Sequence, residues 1–175
     1  TLYLDSLTWE GEPNVALRPP DHNGRMWQRA WVQGVDHQST REGRIRVIQD
    51  EGTGLLIQGS RQWKDYIVRA TLSPHMVTSG GIAARVQGLN RYYALVLDRD
   101  HHVRLVKSRG HSTTLAEMPY LWEFDETHTL QLSVKTTHLV AEVDGVTLFD
   151  IEDDQEPLMA GGIAIAVIPL LVVGM

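Results

Sequence analysis

Five side chains near the middle of the chain have the chemistry of a polar-ligand site: Arg85, Gln87, Tyr92, Asp98 and Arg104. They combine charged donors, a carboxylate and an aromatic ring. Sugars are held by that mixture, because rings stack on their apolar faces while bidentate polar groups take their hydroxyls. The spacing brings these residues together. Ile82, Ala84 and Val86 alternate with Ala83, Arg85 and Gln87; Tyr93, Leu95 and Leu97 alternate with Tyr92, Ala94, Val96 and Asp98. Alternation at period two sends one set into a core and the other to a sheet face. The expectation is an exposed, polar sheet face better suited to binding than to catalysis. A purely structural reading stands beside it, in which Arg85 pairs with Asp98 across strands and Tyr92 covers the sheet.

Tryptophan is the other candidate platform for a sugar. Of Trp9, Trp27, Trp31, Trp63 and Trp122, Trp31 joins the candidate ligand set. Trp27 and Trp31 lie four apart in a stretch without clean period, where they either line a pocket or anchor a long loop. Trp63 directly precedes a strand and reads as a half-buried structural residue.

The carboxylates Asp150, Glu152, Asp153, Asp154 and Glu156 are clustered in sequence. Calcium needs several oxygens converging on one point, but the spacing matches no EF-hand loop, and such a run reads as a solvated turn. Glycoside hydrolysis by a retaining mechanism needs two carboxylates about 5 Å apart on rigid backbone, which a run in an apparent loop does not offer. The eight histidines show no metal-ligand spacing, and cysteine is absent. No catalytic residue, metal or cofactor is therefore expected, calcium being the one alternative. There is also no nucleophile elbow, phosphate loop or dinucleotide fingerprint.

Composition narrows the partners. A formal charge of −6 with no basic run argues against nucleic acid. No apolar stretch has the roughly 20 residues that span a bilayer. The absence of disulfides is compatible with a cytoplasmic location. The chain starts without Met and reads as a piece of a longer protein.

The elements that must position these residues are strands. Residues 2 to 9 and Asn14 to Leu17 read as strands. Asp21 to Arg44 reads as a long loop or short helix. Ile45 to Gln49 and Gly54 to Gly59 read as a strand pair joined around Glu51-Gly52. Tyr66 to Leu72 follows, ended by Pro74; Gly80-Gly81 open the next strand, and turns at Gly88-Leu89-Asn90, Asp98 to His101 and Arg109-Gly110 punctuate the rest. Pro119 to Glu126 has room for one helical turn. Asp144-Gly145 is the strongest hairpin signal, because both central positions of a type I′ turn need positive φ. Gly161-Gly162 open a last strand, Ile163 to Val167. Many short strands at regular spacing indicate an all-β, antiparallel sandwich or barrel with few or no helices.

Several motifs carry a family resemblance. Asp65-Tyr66, Gly80-Gly81-Ile82-Ala83-Ala84-Arg85, Asn90-Arg91-Tyr92-Tyr93, the hairpin from Asp98 to Leu105, Val143-Asp144-Gly145 and Gly161-Gly162 occur in the order found in concanavalin A-like (laminin-G-type) jelly-roll sandwiches. That resemblance implies a two-sheet antiparallel jelly roll over about two thirds of the chain. Met26-Trp27, Arg29-Ala30-Trp31, Gly52 to Gly59 and Trp63 are similar to the non-catalytic C-terminal region of bacterial ADP-ribosylglycohydrolase-family proteins. This implies an accessory domain whose partners are a carbohydrate or ADP-ribose-type ligand and a catalytic domain of the same protein. An interaction module that packs on the catalytic domain or self-associates is the alternative, with a sandwich-fold glycoside hydrolase third. The tail, Ile168 to Met175, lacks the Asp of the family's closing strand, whereas LYLDSLTW at residues 2 to 9 resembles such a strand. Residues 1–20 thus either close a preceding sandwich or fill the closing slot of this one, residues 21–175.

Overall fold

The structure, a computed structural model, describes residues 1–11, 15–17, 32–41 and 44–169. Among them are fifteen strands and no helix: β1 (Leu2–Gly11), β2 (Val15–Leu17), β3 (Val32–Gly34), β4 (His37–Arg41), β5 (Arg44–Ile48), β6 (Gly54–Gln58), β7 (Tyr66–Pro74), β8 (Val77–Gly88), β9 (Arg91–Asp98), β10 (His102–Arg109), β11 (Ser112–Pro119), β12 (His128–Lys135), β13 (His138–Val143), β14 (Val146–Glu152) and β15 (Gly162–Pro169). They form two antiparallel sheets. The first runs β14-β13-β12-β7-β1-β5-β4, with β2 paired to β1; the second runs β11-β10-β9-β8-β15-β6-β3.

Period-two alternation supplies the layer between them. Leu4, Val68, Leu72, Leu130, Leu132 and Ala141 of the first sheet meet Ile82, Tyr93, Leu95, Leu105 and Ile165 of the second in one buried cluster. The outer face of the first sheet is polar: Arg69 donates to Gln131, and Thr71 bonds Thr129 at 3.0 Å. Those are cross-strand pairs between β7 and β12.

The strand β1 lies inside the first sheet, between β5 and β7. Its alternation is weak in sequence because the register shifts between Leu4 and Ser6, so Leu4 and Leu7 both reach the core although three residues separate them. The hairpin at Asp144-Gly145 is also present, with φ of +52° and +79°.

Three expectations are corrected. The stretch Asp21 to Arg44, read as loop or helix, contains β3 and β4, in opposite sheets. The two strands β5 and β6 do not pair with each other; one sits in each sheet, and residues 49 to 53 cross between the layers. The segment Pro119 to Glu126 holds no helical turn. It is a bent connection in which Asp125 takes φ +66° and Trp122 is buried.

Candidate ligand site on the second sheet

Each candidate residue depends on the register of β8, β9 and β10. In β8 the register to β9 shifts between Ala84 and Gly88, and Arg85 adopts φ +50°. This is a β-bulge; against β15 the stretch from Ala83 to Val86 carries one extra residue, which inverts the faces that follow it. Ile82 and Ala84 belong to the inter-sheet core, as alternation predicts. Beyond the bulge Val86 joins the outer cluster of the sheet and Arg85 turns inward.

The expectation that Arg85 lies on an exposed face is therefore corrected: its side chain is 0% exposed. Its guanidinium donates to the backbone carbonyls of Lys64, Thr136 and Leu158 and to Asp65 Oδ1 at 3.2 Å. Burial lowers its pKa, opposed by the nearby Tyr66, Tyr93 and Asp65. Arg85 ties three segments of backbone together and has no path to a ligand on the outer face. Its supposed partner, Asp98, pairs elsewhere.

Asp153, expected in a solvated turn, is likewise buried, at 5% exposure. Lys107 Nζ donates to both its oxygens at 2.8 and 2.6 Å, and the Tyr93 hydroxyl donates to Oδ2 at 2.5 Å. The Leu158 N–H donates to that same hydroxyl at 2.9 Å. Lys107 and Arg109 line a cleft of about 580 Å³ beside the loop after β14, but both cations are engaged, Lys107 by Asp153 and Arg109 by Glu156, and Glu152 and Asp154 add further carboxylates.

Three predicted residues do come together. Tyr92, Asp98 and Arg104 line one cavity of about 280 Å³ on the outer face of the second sheet, along with Ser79, Ala94, Val96, Thr114 and Ala166. The face is not the exposed polar surface expected. Its middle is apolar and shielded: Ala83, Ala94, Ala164 and Ala166 form a buried cluster with Leu55, Val86 and Val96. The charged groups gather at one end. Gly81 belongs to this face, where a Cβ would fall 2.0 Å from Leu95 O, so only glycine lets β8 and β9 approach this closely.

Arg104, 22% exposed, is the hub of the polar end. Its Nε donates to Glu117 Oε2 at 2.8 Å, Nη1 to Asp98 Oδ2 at 2.6 Å and Asp100 Oδ1 at 3.0 Å, and Nη2 to Asp100 Oδ2 at 2.6 Å. Those bonds hold the Arg104 pKa above its ordinary value and Asp100 below its own. His102 flanks Asp100 at 3.4 Å. Trp122 Nε1 donates to the Asp98 carbonyl at 2.9 Å, fixing the strand end that presents Asp98. Tyr92 is only 9% exposed. Burial raises its phenol pKa, opposed by a hydrogen bond with Ser108.

Ser79, Asp100 and Glu117 went unnoticed in the sequence. Ser79 lies opposite Asp98 in the β8–β9 register, and Glu117 lies opposite Arg104 in β10–β11. The first pairing follows from the hairpin at Gly88-Leu89-Asn90 only once the Arg85 bulge is counted. The second is hidden by a register shift between Leu105 and Val106. Trp27 and Trp31 lie outside the described residues.

No protein-family model matches the chain, and no curated protein matches it. Solved structures do. Carbohydrate binding module CBM66 from Bacillus subtilis superposes with a TM-score of 0.65 at 17% identity, over 79% of this chain and 91% of that one. The fold is a concanavalin A-like sandwich. A GH43_12 protein retrieved from a capybara gut metagenome matches with a TM-score of 0.54 at 12% identity, over 74% of this chain but only 29% of its own. At these identities the sandwich likeness concerns architecture, and function must come from the site.

Proposed function

We propose that this sandwich is a non-catalytic sugar-binding domain whose ligand, a carbohydrate or the sugar part of an ADP-ribose-type molecule, enters the cavity beside Arg104. The observation that carries the reading is convergence. Tyr92 from the start of β9, Asp98 from its end and Arg104 from β10 line one concave space with an apolar floor. Small-molecule sites have this form, few polar groups on an apolar wall. Tyr92, Asp98 and Arg104 are the proposed contacts.

Asp98 and Glu117 do place two carboxylates on one sheet face, which a sandwich glycosidase would need. Arg104 stands between them and donates to both. Both are held in one ion-pair cluster around that guanidinium, so we read the domain as a binder.

The accessory role beside an ADP-ribosylglycohydrolase-type catalytic domain rests on the sequence motifs at Met26-Trp27 and Arg29-Ala30-Trp31, outside the described residues, and at Gly52 to Gly59 and Trp63. In the structure two of these residues maintain the fold: a Cβ on Gly59 would lie 2.5 Å from the Trp63 ring, which packs edge-on against Tyr66.

Calorimetric titration of the purified domain with a panel of oligosaccharides and ADP-ribose tests the proposal. Binding to at least one of them is expected, weakened about tenfold or more by Asp98→Ala, the cost of one charge-assisted hydrogen bond. Silence across the whole panel would overturn it.

A further inference from the structure

We infer that the cavity beside Arg104 selects an uncharged sugar recognised through its hydroxyl donors, and rejects sugars that carry phosphate or carboxylate, ADP-ribose among them. This rests on the sugar-binding reading above and narrows its ligand class.

Charge is the first ground. Three carboxylates, Asp98, Asp100 and Glu117, surround a single guanidinium. Among the described residues that line the cavity, Arg104 is the one cation. Phosphate and carboxylate groups are recognised by an arginine fork presenting two parallel N–H donors. In Arg104 that fork is occupied, since Nη1 and Nη2 both donate to Asp100. An anion entering here meets the Asp98 carboxylate and an arginine already spent on Asp98, Asp100 and Glu117. A hydroxyl donor meets acceptors.

The second ground is independent. Ser79 is 2% exposed, lines the cavity and lies opposite Asp98 in register, yet its Oγ has no hydrogen-bond partner among the described residues. A buried hydroxyl left unpaired carries a desolvation penalty, and natural structures rarely keep one without use. Among the described residues three other buried polar atoms lack a hydrogen-bond partner, on Asp5, Arg46 and His128, and none of those residues lines this cavity. A ligand hydroxyl placed between Ser79 and Asp98 satisfies both: it accepts from Ser79 and donates to the carboxylate.

Size is the third. At about 280 Å³ the cavity is at the lower limit of ordinary ligand sites, roughly 300–1,000 Å³. That suits a sugar residue at the end of a chain better than a dinucleotide-sized molecule.

The test is calorimetry of the wild-type domain and Ser79→Ala against xylohexaose, cellohexaose, mannohexaose and fructo-oligosaccharides, with tetragalacturonate and ADP-ribose as the anionic arms. The expected result is binding to a neutral probe and none to either anion. Ser79→Ala is expected to weaken neutral binding about five- to tenfold while its melting temperature stays level or rises, because deleting an unpaired buried hydroxyl costs the fold nothing. Binding of tetragalacturonate or ADP-ribose in competition with a neutral probe overturns the selectivity and leaves sugar binding standing. Unchanged affinity in Ser79→Ala, or a lowered melting temperature, removes Ser79 from the site and overturns the inference. No binding to any probe defeats the sugar-binding reading, and this inference with it.

Discussion

At the residue scale, Arg85 is the side chain on which site and scaffold are most easily confused. An arginine at φ +50° is uncommon, because a Cβ crowds the left-handed region. The conformation persists because the guanidinium is over-determined by three carbonyls and Asp65. Arg85→Met should therefore act on stability. It orphans the buried carbonyl of Leu158, at about 1–3 kcal/mol, and removes donors from the part-buried carbonyls of Lys64 and Thr136, so a loss on the order of 3 kcal/mol is expected in urea denaturation. Sugar affinity of the fraction that folds should be unchanged; the opposite pattern would return Arg85 to the ligand set. Tyr93→Phe should cost about 1–3 kcal/mol in the same assay, since it strips Asp153 of a donor and leaves the Leu158 N–H without its acceptor. Tyr92, Asp98 and Arg104 were legible in the sequence because simple alternation holds along β9 and into β10. Arg85 was not, because nothing about an Ala-Arg-Val tripeptide announces a bulge.

At the element scale, turns and faces were read correctly more often than neighbours. The turns at Gly88-Leu89-Asn90 and Asp144-Gly145 stand where their residue types place them, since positive φ and chain reversal are local demands. The supposed pairing of β5 with β6 failed for the opposite reason. A short polar turn between two strands is the same signal whether the second strand folds back beside the first or crosses to the other sheet. What decides is which apolar face needs covering. Close strand approach offers a check. Gly81→Ala puts a Cβ 2.0 Å from Leu95 O and 2.8 Å from Val96 Cα, atoms of neighbouring backbone that cannot rotate away. Relief requires β8 and β9 to separate at the centre of the second sheet. The expected outcome is loss of soluble protein, or a drop of about 3 kcal/mol or more. A variant that expresses and melts like the wild type would show that these strands tolerate a wider gap.

At the scale of the whole molecule, titration should reveal how distant segments are bolted together. Asp144, in the β13–β14 turn, accepts from His128, the Thr129 N–H and Tyr120, which joins three segments at one end of the sandwich. Burial opposes ionisation there, but these hydrogen bonds prevail and hold its pKa below the ordinary 3.8. The unfolded chain takes up that proton first on acidification. Stability from this group is thus complete above pH 3.8 and lost as pH falls toward the folded value. Buried phenols give the mirror image. Burial, with help from Asp144, raises Tyr120 to about 12, and burial raises Tyr66 and Tyr93 as well, all from an ordinary 10.0. Their contribution is intact below pH 10 and lost as pH climbs toward the folded values. Unfolding free energy against pH should fall at both ends, and Asp144→Asn should flatten the acid limb alone; an unaltered acid limb would refute the role of Asp144. From the sequence by itself came the all-β class, an antiparallel sandwich or barrel, the main turns and a cluster of polar side chains on one sheet, and the family resemblance implied the sandwich. The class, the turns and the cluster follow from period-two alternation and turn chemistry, which operate over a few neighbouring residues. Only the tertiary structure decided that Arg85 faces inward, that Asp153 is sealed by Lys107 and Tyr93, that Arg104 is spent on three carboxylates, and that Ser79 is left with an unpaired hydroxyl. Those outcomes depend on register between strands. A bulge of one residue exchanges the faces of everything beyond it, and the energy that selects the bulge is spread over contacts from three other parts of the chain.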